Sequence, residues 1–141
     1  MVIFSLQCRM FSYRTVSPTP YAIDLSSEEI DAVQDYDNCL FLLVGVDSGD
    51  SAARLRPAAK AIRRTIRQTG VKSVVINGFA GLSAAPADPE VSAALLQSLR
   101  VRVHTLDPDV EVHVMPFGWR KDWTMDAVAG PWSQRCLHLH L

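Results

Sequence analysis

Apolar residues recur at two spacings along this chain, every second position and every third or fourth, and the switches between them mark out its elements. Residues 2–7 read as a buried strand, and Phe11, Tyr13 and Thr15 alternate over residues 10–16 as a hairpin partner would. Ser17-Pro18-Thr19-Pro20 reads as a loop, and Ser26 with Glu29 has the capping-box pattern of a short helix. Residues 35–38 form a polar break. Residues 39–46 follow as a nearly continuous apolar run, as expected of a central strand covered on both faces. Leu55, Ala58, Ala59, Ile62 and Ile66 then repeat at helical spacing. Residues 50–69 read as helical; Pro57 starts the main helix near Arg56 or kinks it there, and Gly70 ends it. Residues 71–77 return to a β-branched strand. Asp88-Pro89-Glu90 opens a second helix carrying Leu95, Leu99, Val103 and Leu106 on one side, and Asp107-Pro108-Asp109 stops it. Val110, Val112 and Val114 alternate into Pro116 and Gly118, which break the ladder, and short strands are expected at 123–128 and 137–141. The result is one α/β domain spanning residues 1–141.

Composition narrows the function classes. The net charge of −1 gives no bulk signal for nucleic acid. No apolar run approaches the ~20 residues that span a bilayer, and residues 2–6 are too short and lack the preceding basic region of a signal peptide. Cys8, Cys39 and Cys136 are widely spaced and odd in number, so neither a disulfide framework nor a structural zinc site is expected, and a reducing cytoplasm fits. Cys8 and Cys136 read as small core or strand residues. His138 and His140 alternate on a terminal strand, which suits the polar side of an edge better than a metal pair. No metal and no cofactor are expected.

Three stretches carry candidate chemistry. Arg56, Lys60, Arg63, Arg64 and Arg67 line one side of the first helix. With Arg54 the stretch has six basic residues against Asp50 alone, a pattern that serves either a solvated face or a phosphate backbone. Phe79-Ala80-Gly81-Leu82-Ser83 is a small-residue loop at a strand end, where ligand sites gather in α/β sheets. Ser83 has no local histidine or acid to activate it as a nucleophile. Lys121 stands among Phe117, Trp119 and Trp123, where an ammonium can meet an anion or a carbonyl.

The loop, the proline-started helix and Pro116-Phe117-Gly118-Trp119-Arg120-Lys121 together resemble the archaeal threonyl-tRNA synthetase editing domain. Neither motif alone is specific, but the order of elements and the length agree over essentially the whole chain. The resemblance implies the D-aminoacyl-tRNA deacylase-like fold, a curved and mostly antiparallel sheet packed with two main helices. It implies a pocket for the aminoacylated 3′ end of a charged tRNA, and a homodimer. It makes Lys121 the catalytic residue and places Ser5, Leu6, Gln7, Phe79, Ala80, Gly81, Phe117, Gly118, Trp119, Arg120 and Gln134 about the substrate, with the basic helix stripe on tRNA. The family pattern has a histidine where this chain has Gly81, a glutamate where it has Gln134, and a first-strand histidine where it has Gln7. Gln134 can still hydrogen-bond an amine, but without a carboxylate's charge. Three uses of the pocket stay open: hydrolysis of an aminoacyl ester with altered selectivity, transfer of the acyl group to an amine, and binding of a tRNA end or an adenosine-like ligand without catalysis.

Overall fold

Residues 2–16 do not make a hairpin. Val2–Pro18 is one strand, β1, the longest in the protein. Residues 7–10 contain no glycine, proline, asparagine or aspartate, so nothing there reverses the chain. Instead a register shift between Cys8 and Met10, where β1 meets a later strand, takes up the change of facing. The computed structural model describes residues 1–140.

β2, Val33–Gly45, runs antiparallel to almost all of β1. The polar residues 35–38 therefore lie inside a strand, not in a break; Tyr36 stacks on Tyr13 with ring centroids 6.4 Å apart. Asn38 takes φ 48°, a left-handed conformation that asparagine tolerates. The segment after Ser26 is a turn, not a helix. Its capping-box bonds form, with the Ser26 N–H and Oγ donating to Glu29 Oε1 at 3.2 and 3.0 Å, but no helix follows.

Two crossovers complete the sheet. Helix α1, Ala52–Thr69, leads to β3, Ser73–Gly78, and helix α2, Pro89–Leu106, leads to β4, Glu111–Val114; β2, β3 and β4 are mutually parallel. α1 starts at Ala52, within the expected helical segment 50–69, so Pro57 lies inside it rather than opening it near Arg56. Gly70 ends it as expected, at φ 69° with its N–H on Ile66 O. Asp88 precedes Pro89, but its side chain caps nothing. The last strands, β5 (Trp119–Ala127) and β6 (Gln134–His138), both pair antiparallel with β1, on its second and first halves respectively. β5 thus begins four residues before the expected 123, placing Lys121 in a strand instead of a turn. β6 begins three residues before the expected 137, and Leu141 lies outside the described residues. The strand order is β4-β3-β2-β1-β5, with β6 beside β1. This is the single α/β domain with a curled, D-aminoacyl-tRNA deacylase-like sheet and two helices.

Both helices cover one face. Leu40, Leu42, Val44, Val74 and Ile76 pack there on Leu55, Ile62, Ile66, Leu96, Leu99 and Val103. The other face is concave and lined by Phe11, Tyr13, Phe41, Val75 and Met115. Phe41 stacks on Phe11 at 4.3 Å and takes Trp123 of β5 edge-on at 5.1 Å. Cys8 and Cys39 are buried opposite each other, whereas Cys136 is exposed on β6. Among the described residues, no helix is long and apolar enough to cross a membrane.

Candidate functional site

Lys121 lies directly across from Thr15 of β1, two positions from Trp123, which faces Tyr13. Strand alternation therefore puts Trp119, Lys121 and Trp123 on one side, the concave one. Lys121 Nζ donates to Asn77 Oδ1 of β3 at 2.8 Å. β2 and β1 lie between these two strands, so a flat sheet would hold β5 and β3 about 14 Å apart. Only curling brings the two side chains together. Burial brings the lysine pKa down to about 8 from the usual 10.5. At neutral pH the ammonium form still predominates, and two of its three N–H donors remain beyond the Asn77 bond. Among the described residues, no aromatic ring makes a cation–π contact with Lys121. Trp132 does meet cations, with Arg135 and Arg64 at 4.3 and 5.1 Å from its ring centroid.

β3 carries two sites on its two sides. Asn77 points into the concave face, and Gly78 turns to the opposite side, where a Cβ would come within 2.7 Å of Leu96 and 3.3 Å of the Phe117 ring. A cleft of about 370 Å³ opens beyond it, lined by Phe79, Ala80, Phe117 and Gly118 together with Tyr21, Val44 and Ser92. Four of the expected substrate residues thus share one cleft. Lys121, Gln7 and Gln134 do not line it. Gly118 takes φ 78°, and a Cβ there would sit 2.5 Å from Tyr21 O, so the turn presses directly on the 19–23 segment.

Trp119 and Arg120 hold that segment in place. Trp119 Nε1 donates to Ile23 O at 2.7 Å and Arg120 to Pro18 O at 3.1 Å. Gln7 is engaged with the 128–133 turn: its N–H donates to Ser133 O at 2.7 Å, and its Oε1 accepts from Ser133 Oγ at 2.8 Å. Ser5 faces the helices beside Leu42, and its buried Oγ has no hydrogen-bond partner among the described residues. Leu6 faces Phe41 on one side and Gln134 on the other, which puts exposed Gln134 on the concave side with Lys121. Gly81 is exposed, and a Cβ there would lie 3.0 Å from the Phe79 ring.

Ser83 is a structural donor. Its Oγ meets Asp47 Oδ1 at 2.5 Å, and Asp47 Oδ2 pairs with the Met1 ammonium at the same distance. Asp50 joins the cluster, with the Met1 nitrogen at 2.8 Å and Arg54 Nε at 3.0 Å. Burial by itself would raise both carboxyls; hydrogen bonds from the Met1 ammonium, helped by Ser83 for Asp47 and by Arg54 for Asp50, outweigh it and hold both below 3.8. The cluster ties the loop after β3 to the chain start.

On α1, Arg54 is buried in this pair and leaves the basic stripe. Arg56, Lys60, Arg64 and Arg67 are exposed, Arg63 is half-buried, and none of the five is in an ion pair among the described residues. Arg56 and Lys60, with Arg102 of α2, rim a groove of about 660 Å³ between the helices. His138 and His140 stack at 6.1 Å, and the described residues bring no three histidine, cysteine or acidic side chains into metal-binding range.

The lysine on the concave face and the cleft on the other side of the end of β3 belong to a domain whose sequence likeness runs over almost its whole length. A model of the archaea-specific editing domain of threonyl-tRNA synthetase matches residues 1–137. The chain belongs to that family. It is 28% identical over 134 residues to a threonine–tRNA ligase of Cenarchaeum symbiosum, covering 95% of this chain and 20% of that one. With the threonine–tRNA ligase editing subunit of Saccharolobus solfataricus it shares 31% identity over 97 residues, 69% of this chain and 24% of the other. The chain thus spans about a fifth to a quarter of these relatives' length. The solved structure of a c-Myc DNA unwinding element binding protein covers all of both chains at a TM-score of 0.72 with 10% identity, a likeness of fold.

Phe79, Ala80 and the Phe117-Gly118 turn share the cleft, whereas Lys121 meets Asn77 on the opposite, concave face. Asn77 escaped the sequence reading, although it is the one polar residue ending the apolar run Val74-Val75-Ile76. Trp132 and Arg135 escaped it as well, because nothing local shows that they meet Arg64.

Proposed function

We propose that this chain binds the aminoacylated 3′ end of a charged tRNA and hydrolyses the aminoacyl ester, with a selectivity altered from that of its family. The observation that carries this reading is Lys121, half-buried, held by Asn77 and left with two donors, on the strand just after the Phe117-Gly118 cleft. The terminal nucleoside occupies the cleft, and the ester reaches over the end of β3 toward the ammonium. Gln134, on the concave side, receives the substrate amino group through an uncharged hydrogen bond. Incubating the protein with a panel of charged tRNAs, and following acyl loss with and without added amines, tests it. Loss from no member of the panel would overturn it.

Gly81 supports a second reading, transfer of the acyl group to an amine. The loop has no side chain there to orient water, whereas a neutral amine is a stronger nucleophile that needs no such help. Acyl loss that depends on the added amine would favour it. Gly81→His supplies the missing group. Its Cβ would lie 3.0 Å from the exposed Phe79 ring, which must swing aside. We expect deacylation to rise roughly tenfold, below the ~100-fold of a well-placed acid–base group. An unchanged rate in a folded variant would show that the lost histidine is not what limits hydrolysis.

Arg56, Lys60 and Arg67, exposed on α1, carry the tRNA backbone in this reading. Arg56→Ala, Lys60→Ala and Arg67→Ala together should weaken binding and flatten its salt dependence by about 0.7 to 0.9 for each phosphate they no longer neutralise. Titration at several salt concentrations reads this directly, and an unaltered slope would make the stripe a solvated face. The reading also includes pairing of two chains, which a monomer mass by light scattering at micromolar concentration would remove.

A further inference from the structure

Outside the cleft and the lysine, one cluster has more positive charge than its surroundings balance. Trp132 lies in the turn before β6. Arg135 places its guanidinium 4.3 Å from the ring centroid and Arg64 of α1 places its own at 5.1 Å. Arg135 is held there by a bond from its Nη1 to Thr65 Oγ1 at 3.1 Å. Arg63 precedes Arg64 in α1, and its Nε is buried with no hydrogen-bond partner among the described residues. Among the described residues no carboxylate pairs with Arg63, Arg64 or Arg135. Two guanidiniums on one indole, neither paired with an acid, match a ligand that is both anionic and planar.

Position sharpens the match. Trp132 is followed by Ser133, which binds Gln7, and then by Gln134 on the concave side. On its other flank Arg64 leads along α1 to Arg67. The cluster therefore stands between the concave face and the basic helix, at the sheet edge where β6 meets α1. A single strand of nucleic acid leaving the site for the helix crosses it. Such strands are held by stacking bases on aromatic or guanidinium planes while cations follow the phosphates.

We infer that Trp132, Arg135 and Arg64 form a binding site for the unpaired nucleotides that precede the terminal adenosine of a tRNA. This rests on the charged-tRNA reading, and the experiment separates the two. The probes are an RNA hairpin with a four-nucleotide 3′ overhang and the same hairpin trimmed blunt, titrated against the full chain. The wild type should bind the overhang form more tightly. Trp132→Ala and, separately, Arg64→Ala should each lower affinity for the overhang form, Trp132→Ala by roughly tenfold, and leave the blunt form unchanged; Trp132→Phe should restore most of the loss. Arg64 is exposed, so its removal leaves the fold intact even if the turn depends on Trp132. If wild type prefers the overhang and both alanine variants keep that preference, the cluster only clamps the turn to α1, and this inference falls while the tRNA reading stands. If wild type binds neither hairpin, the tRNA reading falls and takes the inference with it.

Discussion

Replacing Lys121 with alanine is expected to reduce turnover of the aminoacyl ester by about a hundredfold or more, the usual effect of removing one preorganised donor to a developing oxyanion. Binding should change little, because the cleft that receives the nucleoside is lined by other residues. Lys121→Arg should fail as well: a planar fork cannot reproduce a compact ammonium held by a single acceptor, Asn77 Oδ1, at 2.8 Å. A pH profile adds an independent readout. Burial lowers the lysine to about 8, so the ammonium is lost as pH rises through that value. If the ammonium is the working form, the rate falls above pH 8. A rate that rises through the same range would make the free amine the working form, and wild-type activity in Lys121→Ala would remove the lysine from the mechanism. Stability carries the opposite sign. Because folding depresses this pKa below 10.5, the unfolded chain binds more protons between about 8 and 10.5, and this group's contribution to stability grows with pH in that window.

Asp50→Ala should be the most destabilising single change among the polar residues. The Asp50 side chain is 2% exposed and serves the Met1 ammonium, Arg54 and the Asp47 N–H at once. Its loss leaves a buried guanidinium without its carboxylate and the ammonium with Asp47 alone. Removing one partner of a buried pair typically costs about 3–5 kcal/mol, which lowers the melting temperature by on the order of 10 °C in a domain of this size. Because Asp47 also holds Ser83, the loop after β3 should loosen, and hydrogen exchange at residues 79–83 would show it. A melting temperature within a degree or two of wild type would mean that the cluster contributes nothing net. The same carboxyls set an acid limit. Both are held below 3.8 in the folded protein, so their stabilisation is complete above that pH and disappears as pH falls through their folded values.

The two helices, the central strand and the strand 71–77 were legible because each is long, periodic and bounded by its own signals, such as Gly70 and Asp88-Pro89. The errors concentrate where alternation is interrupted. Two alternating halves of β1 looked like two strands, since a bulge and a turn both shift the period and only the absence of turn residues tells them apart. Asp35 to Asn38 looked like a break because polar residues on an exposed strand end differ from a loop only through their ladder partners.

The chemistry divides in the same way. Local sequence was enough to mark Lys121, the 79–83 loop, the Phe117-Gly118 turn and the acid-poor stripe of α1, since each is a run of neighbours with an unusual composition. Which of them meet was decided by curvature. Asn77 and Lys121 are 44 residues apart in the chain and bond only because the sheet curls across two intervening strands. Alternation along β3 decided that Asn77 serves the concave face while Gly78 opens the cleft, and packing against α1 brought Arg64 to Trp132. Hydrophobic period is a property of neighbours, so the chain determines its own elements. A hydrogen bond or a shifted pKa depends on what lies across a few ångströms of space, and only the folded sheet supplies that.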